Sequence, residues 1–202
     1  MAILSQLDIV NQALIKLGVQ TISSLTDESE QARVVTASYN MLLHEVLASA
    51  AWSFAIKQKE LHALAEPPLF RYSTQYLLPS DCIKLLEVHL PPKPVITDFQ
   101  TSQKPYAIQN NKILTNVENG IGLVYVSDAI DPSEFSSSFS AALACKIAAH
   151  LSEALTAKAG MRDRAERDYQ TALARAKKTN NIAKARRSGI DEASWMAVRM
   201  TV

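Results

Sequence analysis

A long amphipathic helix that ends at a tryptophan is the feature that most constrains what this chain can fold into. Between Ser29 and Phe54, apolar residues recur at steps of three and four, which places them on one face of a helix. The Ser29 hydroxyl group is suited to cap the start of the helix. The helical period is lost at Trp52, and residues 52–64 have the pattern of an extended strand. The fold must therefore join a long helix directly to a β region, and we expect the Trp52 side chain to lie in the core.

Three further helices are predicted. A short one begins after Ser5 and ends at Gly18, where a left-handed C-terminal residue is expected. We expect this helix and the long helix to pack as a hairpin, each covering the apolar face of the other. The third helix begins at Asp131-Pro132, since proline is favoured in the first helical turn. The fourth covers residues 162–178.

The region between Lys57 and Asp131 differs in kind from the helices. It contains seven of the eight prolines, and proline interrupts both helices and the hydrogen bonding of sheets. Asn110-Asn111 suits the positive φ angles of a tight hairpin turn. The candidate strands between the breaks are residues 55–64, 83–90, 106–109, 112–115 and 122–126.

Together these patterns predict an α+β fold: a four-helix bundle-like helical domain interrupted by a small, mostly antiparallel β insertion, with an extended C-terminal tail. The 202 residues, 48% of them hydrophobic, suffice for a core without disulfide bonds or metal ions. The predicted domains are a discontinuous helical domain of residues 1–55 plus 131–180, a β insertion of residues 56–130 and a C-terminal docking tail of residues 181–202.

Cysteine usage and hydropathy predict the compartment. Cys82 and Cys145 lack the spacing of a metal site and are expected to be reduced thiols of a protein made in a cytosol. The amino terminus lacks the pattern of a secretory signal, and no run approaches the ~20 apolar residues of a membrane-spanning helix. We therefore expect a soluble protein with no membrane partner, no metal and no cofactor.

Residue types that perform catalysis are scattered along the chain. No histidine lies one helical turn from another histidine or from a cysteine, and the glycines do not form a phosphate-binding loop. His44 and His150 are expected to be core or boundary residues of helices. The sequence therefore predicts that the protein is not an enzyme. A hydrolase that uses a serine and a distant histidine is the alternative with the least support.

The charge is distributed unevenly. The net charge is +1, but residues 158–187 carry ten basic and three acidic residues. A basic run of this kind is typical of a nucleic-acid contact, of a contact with an acidic protein surface, or of a solvated helix face. The candidates for contacts with DNA or with an acidic surface are Arg162, Arg164, Arg175, Lys177 and Lys178.

Several short segments, taken in order, carry a resemblance to a known family. They are VNQALIKLG at residues 10–18, WSFA at 52–55, YLLPSDC at 76–82, the Asp131-Pro132 helix start and SWMAVR at 194–199. In order and spacing, these segments resemble the tail tubular protein A family, the head-to-tail adaptors of short-tailed bacteriophages. The resemblance extends over nearly the whole chain.

The resemblance implies a structural role in the virion tail, below the portal vertex, for a protein synthesised in the host cytoplasm. Members of this family form a ring, usually of twelve copies, beneath the portal protein. Their helical part faces the portal, their β part faces the next tail protein (a nozzle or tail tube), and DNA passes transiently and without sequence specificity through the central channel. A ring of this kind requires two unlike faces on each subunit.

The tail and the basic helix are the candidate contact segments. A tail with an isolated aromatic group is typical of a docking segment, so the predicted portal-docking residues are Trp195, Met196 and Arg199. The basic helix is suited to line the channel, to pair with an acidic surface of the portal or a neighbouring subunit, or to face solvent; we favour the second, because a strong grip on DNA would impede ejection. The alternative function is a nucleic-acid-binding regulator that uses helix 162–178.

Overall fold

The computed structural model describes residues 5–91, 105–156 and 160–199, with side chains described as far as residue 185. The described residues form four α-helices, six strands and one short 3-10 helix at Pro132–Glu134. The helices are α1 (Gln6–Leu17), α2 (Glu30–Ala48), α3 (Ser137–Leu155) and α4 (Met161–Arg199). The strands are β1 (Ile56–Leu61), β2 (Thr74–Leu77), β3 (Cys82–His89), β4 (Tyr106–Gln109), β5 (Lys112–Thr115) and β6 (Ile121–Ser127).

The chain divides into two compact units. We call Met1–Phe54 together with Ile130–Val202 the helical unit, and Ala55–Ala129 the β unit. The predicted α+β fold class, with four helices and a mostly antiparallel β region, is confirmed.

Local side-chain hydrogen bonds explain where the first helices begin and end. Ser5 and Asp8 form a reciprocal capping box at the start of α1: the Asp8 amide donates to Ser5 Oγ, and the Ser5 amide donates to the Asp8 carboxylate. Gly18 ends α1 with a left-handed backbone, at φ 69°. Ser29 Oγ accepts from the Ala32 amide at the start of α2. These three predicted boundaries are therefore produced by short-range contacts.

The start of α3 differs from the prediction. Asp131-Pro132 opens the short 3-10 helix only, where Asp131 Oδ1 accepts from the Ser133 amide. Phe135 then returns to an extended backbone, and α3 begins after Ser136, whose hydroxyl group accepts from the Phe139 amide. The chain thus contains two start signals in succession, and the second one opens the α-helix.

Helix α3 is the centre of the helical unit. Its large, fully buried side chains recur every four positions, so that they form a continuous apolar stripe. Helices α1, α2 and α4 all pack against α3. The prediction that α1 and α2 pack mainly against each other is wrong. Each of these helices packs more extensively on α3 than on the other. The four residues of the stripe are Phe139, Leu143, Ile147 and Leu151.

An aromatic cluster follows the end of α2. The Trp52 side chain is fully buried, as expected, and its indole N–H donates to the Val46 carbonyl oxygen at 3.0 Å. The Phe139 ring meets the Trp52 ring edge-on, with 5.0 Å between centroids. Phe54 and Phe135 complete the cluster through further ring contacts with Phe139. Trp52 therefore joins the end of α2 to the start of α3.

Helix α4 continues well beyond its predicted end at Lys178. It runs as one helix through Arg199, so the first part of the predicted tail, residues 181–199, has a helical backbone. Asn180, two residues past the predicted end, is buried within the helix. Its side chain accepts from the Ser53 amide at 2.9 Å and donates to the Ala51 carbonyl oxygen at 3.0 Å. The helix continues because this asparagine bonds the loop after α2 rather than its own backbone.

The β unit consists of two three-stranded antiparallel sheets among the residues described. Their strand orders are β1-β6-β3 and β2-β5-β4. Asn110 and Asn111 join β4 to β5 with φ angles of 49° and 59°, as the hairpin prediction requires. Strand β2 was not predicted, since three of its four residues are buried and show no polar alternation. One core is shared by the two sheets and includes Tyr76, Ile113, Ile121 and Leu123.

Asp81 is the centre of a hydrogen-bond network in the β unit. Its carboxylate accepts from Ser127 Oγ at 2.7 Å and from the Tyr125 hydroxyl group at 3.2 Å. Lys57 Nζ lies 3.5 Å from the same carboxylate and donates to the Ala129 carbonyl oxygen. Partial burial opposes ionisation of Asp81, but the hydrogen bonds and the nearby cation outweigh it and lower the pKa of the carboxyl group.

Replacing Asp81 with asparagine is expected to reduce the pH dependence of stability in acid. Because its pKa is lowered in the folded chain, the carboxylate stabilises the protein above about pH 4 and loses this effect as the pH falls below that value. Asp81→Asn should lower the free energy of unfolding by about 1–3 kcal/mol at pH 7, and it should reduce the change of this free energy with pH below pH 4. Urea unfolding at a series of pH values measures both effects. An unchanged acid limb in the variant would contradict this role.

Tyr39 in α2 is buried, and among the described residues its hydroxyl group has no hydrogen-bond partner. Tyr39→Phe is expected to raise the free energy of unfolding by about 1 kcal/mol, because an unsatisfied buried hydroxyl group is removed without loss of packing. Burial raises the pKa of Tyr39 to about 12. The unfolded chain therefore ionises this tyrosine first, so the free energy of unfolding does not change through Tyr39 below about pH 10 and falls as the pH rises towards 12. Urea unfolding at pH 7 and pH 11 tests both statements, and a destabilised variant at pH 7 would refute the first.

Candidate functional site: the basic face of helix α4

The buried stripe of α4 determines which of its side chains reach solvent. Ala165, Tyr169, Ala176 and Asn180 are buried and recur at steps of four, seven and four. Lys146 of α3 places its ammonium group 4.9 Å from the centre of the Tyr169 ring, and burial raises the pKa of Tyr169 to about 12. These contacts hold α4 on α3 in one rotational setting. The opposite side of α4 is consequently presented to solvent.

Four exposed basic residues share that opposite side, and we call them the basic face. Helical periodicity places them on one stripe, because they are separated by three, eight and three residues. The stripe extends about 21 Å along the helix axis at ~1.5 Å per residue. In the part of the chain with described side chains, none of the four has a carboxylate within ion-pair distance. The members of the basic face are Arg164, Arg167, Arg175 and Lys178.

The structure brings together only part of the predicted basic set. Arg164, Arg175 and Lys178 belong to the basic face, and Arg167 joins them although the sequence analysis did not name it. Its spacing of three residues from Arg164 was the signal that would have identified it. The predicted residues Arg162 and Lys177 lie on other sides of the helix.

The two predicted residues outside the basic face have other surroundings. Arg162 forms an ion pair with Glu153, and both side chains are about two-thirds exposed. An exposed pair of this kind contributes little to stability. Lys177 is half-buried. Neither residue is thus placed to extend the basic stripe towards a partner.

The predicted docking residues Trp195, Met196 and Arg199 belong to the last turns of α4, whose backbone is helical. Their side chains lie outside the described residues. Their role in docking stays a prediction.

A groove lies beside the basic face, within the helical unit. It has a volume of about 820 Å³ and is formed by α4, the first half of α3 and Lys16 at the end of α1. Its lining includes the small side chains Ala141 and Ala172 and the basic side chain Arg175. Cys145 also lines it; this thiol is buried, which raises its pKa. We call this feature the α3–α4 groove. The amino-acid sequence did not predict this groove, because it arises where two helices meet.

The described residues form neither a metal-binding cluster nor a membrane-spanning helix. No group of three histidine, cysteine, aspartate or glutamate side chains in the described ranges is arranged to hold a metal ion. All four histidines are exposed, so His44 and His150, expected as core or boundary residues, are surface residues of their helices. Neither faces the interior, because the apolar residues of α2 and α3 occupy the buried stripes. No described helix is long and apolar enough to cross a membrane.

No protein-family model matches the chain, and no curated protein is similar to it. The adaptor role implied by the resemblance therefore stays a prediction.

Proposed function

We propose that this protein is a head-to-tail adaptor of a phage virion, which forms a ring under the portal and carries the next tail protein. The observation that carries the proposal is the structural role of the residues in the resembling segments. Asn11, Trp52 and Asp81 come from three of these segments, and the side chain of each forms a hydrogen bond within its unit, to residues 11, 6 and 46 positions away in the chain, respectively. The segments therefore mark positions that build the scaffold.

The Asn11 clamp illustrates this point. Its amide group donates to the Ile22 carbonyl oxygen and accepts from the Ile22 amide, each at 3.0 Å. The link between α1 and α2 is thereby bound to α1. A rigid link is what an adaptor needs, because a ring closes only if every copy presents its faces at the same angle.

The division of the chain also supports an adaptor. Each of the two units has its own core, so the helical unit and the β unit can each bind a different partner. In the proposed assembly the helical unit faces the portal and the β unit faces the nozzle or tail tube. DNA contacts in the channel are transient and non-specific.

The proposal is tested by assembly with the cognate portal protein. Sedimentation velocity and negative-stain electron microscopy of the mixture should show a ring-shaped complex, with about twelve copies of this chain if the family pattern holds. The chain alone and the portal alone are the controls. A chain that gives neither a ring nor a portal complex under any assembly condition would remove the basis of the proposal.

Charge reversal on the basic face is expected to weaken the complex. Arg164→Glu combined with Arg175→Glu should lower the affinity for an acidic portal or neighbour surface by about tenfold or more at low salt, with a smaller effect at high salt. Arg162→Glu is the matched control, because this residue lies off the basic face. Affinity measured at two salt concentrations gives the result. Equal effects of the double variant and the control would contradict a role for the basic face.

The basic face also favours a second candidate, a nucleic-acid-binding regulator. Four aligned cations over about 21 Å are compatible with phosphate contacts. A gel-shift titration with several DNA sequences separates the two functions. An adaptor is expected to bind all sequences equally and to lose them as salt rises, whereas a sequence preference that survives moderate salt would favour the regulator.

A further inference from the structure

Helix α4 is much longer than the helix on which it packs. Its 39 residues span about 58 Å, whereas the 19 residues of α3 span about 28 Å. Thr179 and Ser136–Ser138 line the same groove, so the start of α3 is already reached near residue 179 of α4. Ile182, one turn further, is 46% exposed. The last part of α4 therefore runs past the end of its partner helix.

The α3–α4 groove is suited to receive a helix. The residues of α4 that line it extend from Asp168 to Thr179, a distance of about 16 Å or three helical turns. Small side chains, among them Ala141 and Ala172, leave the space. Lys16 and Arg175 contribute positive charge to the lining and Asp168 contributes negative charge, so the lining is net positive. A helix with bulky apolar groups and nearby acidic groups would complement both features.

The end of α4 has this composition. The ten residues 190–199 span about 15 Å as a helix, which matches the length of the groove. They begin with Ile190 followed by the acidic pair Asp191-Glu192, continue to Trp195-Met196 and end at the basic residue Arg199, so the segment is net acidic. Tryptophan is among the residues most often found as the buried anchor of an interface. Size, charge and length thus favour this segment as the occupant.

The segment cannot reach the groove of its own chain. Because α4 is one continuous helix, Trp195 lies about 24 Å further along the helix axis than Thr179, the last residue of α4 that lines the groove. We infer that the end of α4 of one copy docks into the α3–α4 groove of a neighbouring copy. This contact joins two unlike surfaces, so it propagates from copy to copy and closes into a ring when the rotation allows. The inference deepens the proposed adaptor function by naming the contact between subunits.

The test uses full-length chains with complementary defects. Trp195→Ser removes the anchor and leaves the groove intact, whereas Ala141→Trp fills the groove and leaves the anchor intact. Each variant alone should self-associate about 30-fold more weakly than the wild type or worse, as loss of a buried anchor typically does. Ala174→Trp, on an exposed part of α4 that does not line the groove, is the matched control and should assemble normally.

Mixing the two defective variants gives the decisive result. The mixture retains one competent contact, the intact anchor of the Ala141→Trp chain with the intact groove of the Trp195→Ser chain. Sedimentation velocity should therefore show heterodimers and no rings. A mixture as monomeric as its components would overturn the inference, as would normal self-association of either variant or a wild-type chain that stays monomeric with and without the portal.

Portal binding separates this inference from the proposed function. Wild-type chains that form rings dependent on Trp195 and Ala141 but never bind the portal would sustain the inference and refute the adaptor. Rings that survive Trp195→Ser while portal binding is lost would overturn the inference and return Trp195 to the predicted portal contact. Circular dichroism of each variant establishes that its helices are intact.

Discussion

Replacing Trp52 with alanine is expected to lower the free energy of unfolding by about 3–5 kcal/mol, the range typical of a large aromatic residue removed from a core. Its side chain is fully buried, and the change leaves a cavity next to Phe139. The change also leaves the Val46 carbonyl oxygen without the indole donor. Because Trp52 joins the end of α2 to the start of α3, both helices should be affected.

Urea unfolding followed by circular dichroism measures this loss. Trp52→Phe retains much of the apolar volume but not the hydrogen bond, so it should cost clearly less than the alanine variant. Trp195→Ala is the second control; it removes the other tryptophan of the chain and should leave the stability of an isolated copy nearly unchanged. A loss below about 1 kcal/mol for Trp52→Ala would mean that the aromatic cluster is not a core element.

Replacing Asn180 with alanine is expected to cost about 2–4 kcal/mol, because two hydrogen bonds to backbone groups of the loop after α2 are lost together. The Ser53 amide and the Ala51 carbonyl oxygen would be left without their partner. Asn180 is buried, so water cannot readily replace the amide group. The variant should therefore loosen the attachment of α4 at this point.

Asn181 provides a matched control for this prediction. It is the same residue type one position later in α4, but its side chain is exposed. Asn181→Ala should change the free energy of unfolding by less than about 0.5 kcal/mol, as is typical of surface substitutions. Urea unfolding of both variants gives the comparison. Equal effects at the two positions would show that the double hydrogen bond of Asn180 does not stabilise the fold.

Asn180 also shows why the helix end was predicted wrongly. Two consecutive asparagines usually compete with the helix by bonding to their own backbone, which is why they are typical of helix ends. In this fold the first of them bonds to residues more than a hundred positions earlier in the chain. A local sequence pattern cannot predict this contact. It also cannot predict which basic residues of α4 share one side of the helix.

Short-range chemistry was sufficient for much of the architecture. Ser5, Gly18 and Ser29 cap the ends of their helices through contacts within a few residues. Asn110-Asn111 forms its turn through its own backbone preference. The apolar period of α3 and the burial of Trp52 also follow from the order of the residues. These features could be predicted because each depends on neighbours in the chain or on the periodicity of a single helix.

The tertiary structure alone decided the features that depend on distant partners. Helices α1, α2 and α4 all pack on α3, and the buried strand β2 pairs with β5. The hydrogen bonds of Asn180 to the loop after α2 allow α4 to continue past its predicted end. The α3–α4 groove exists only because small residues of two helices meet. The amino-acid order determined which elements form, since propensity and capping act locally, whereas packing against remote residues determined how far α4 extends and which of its side chains reach a partner.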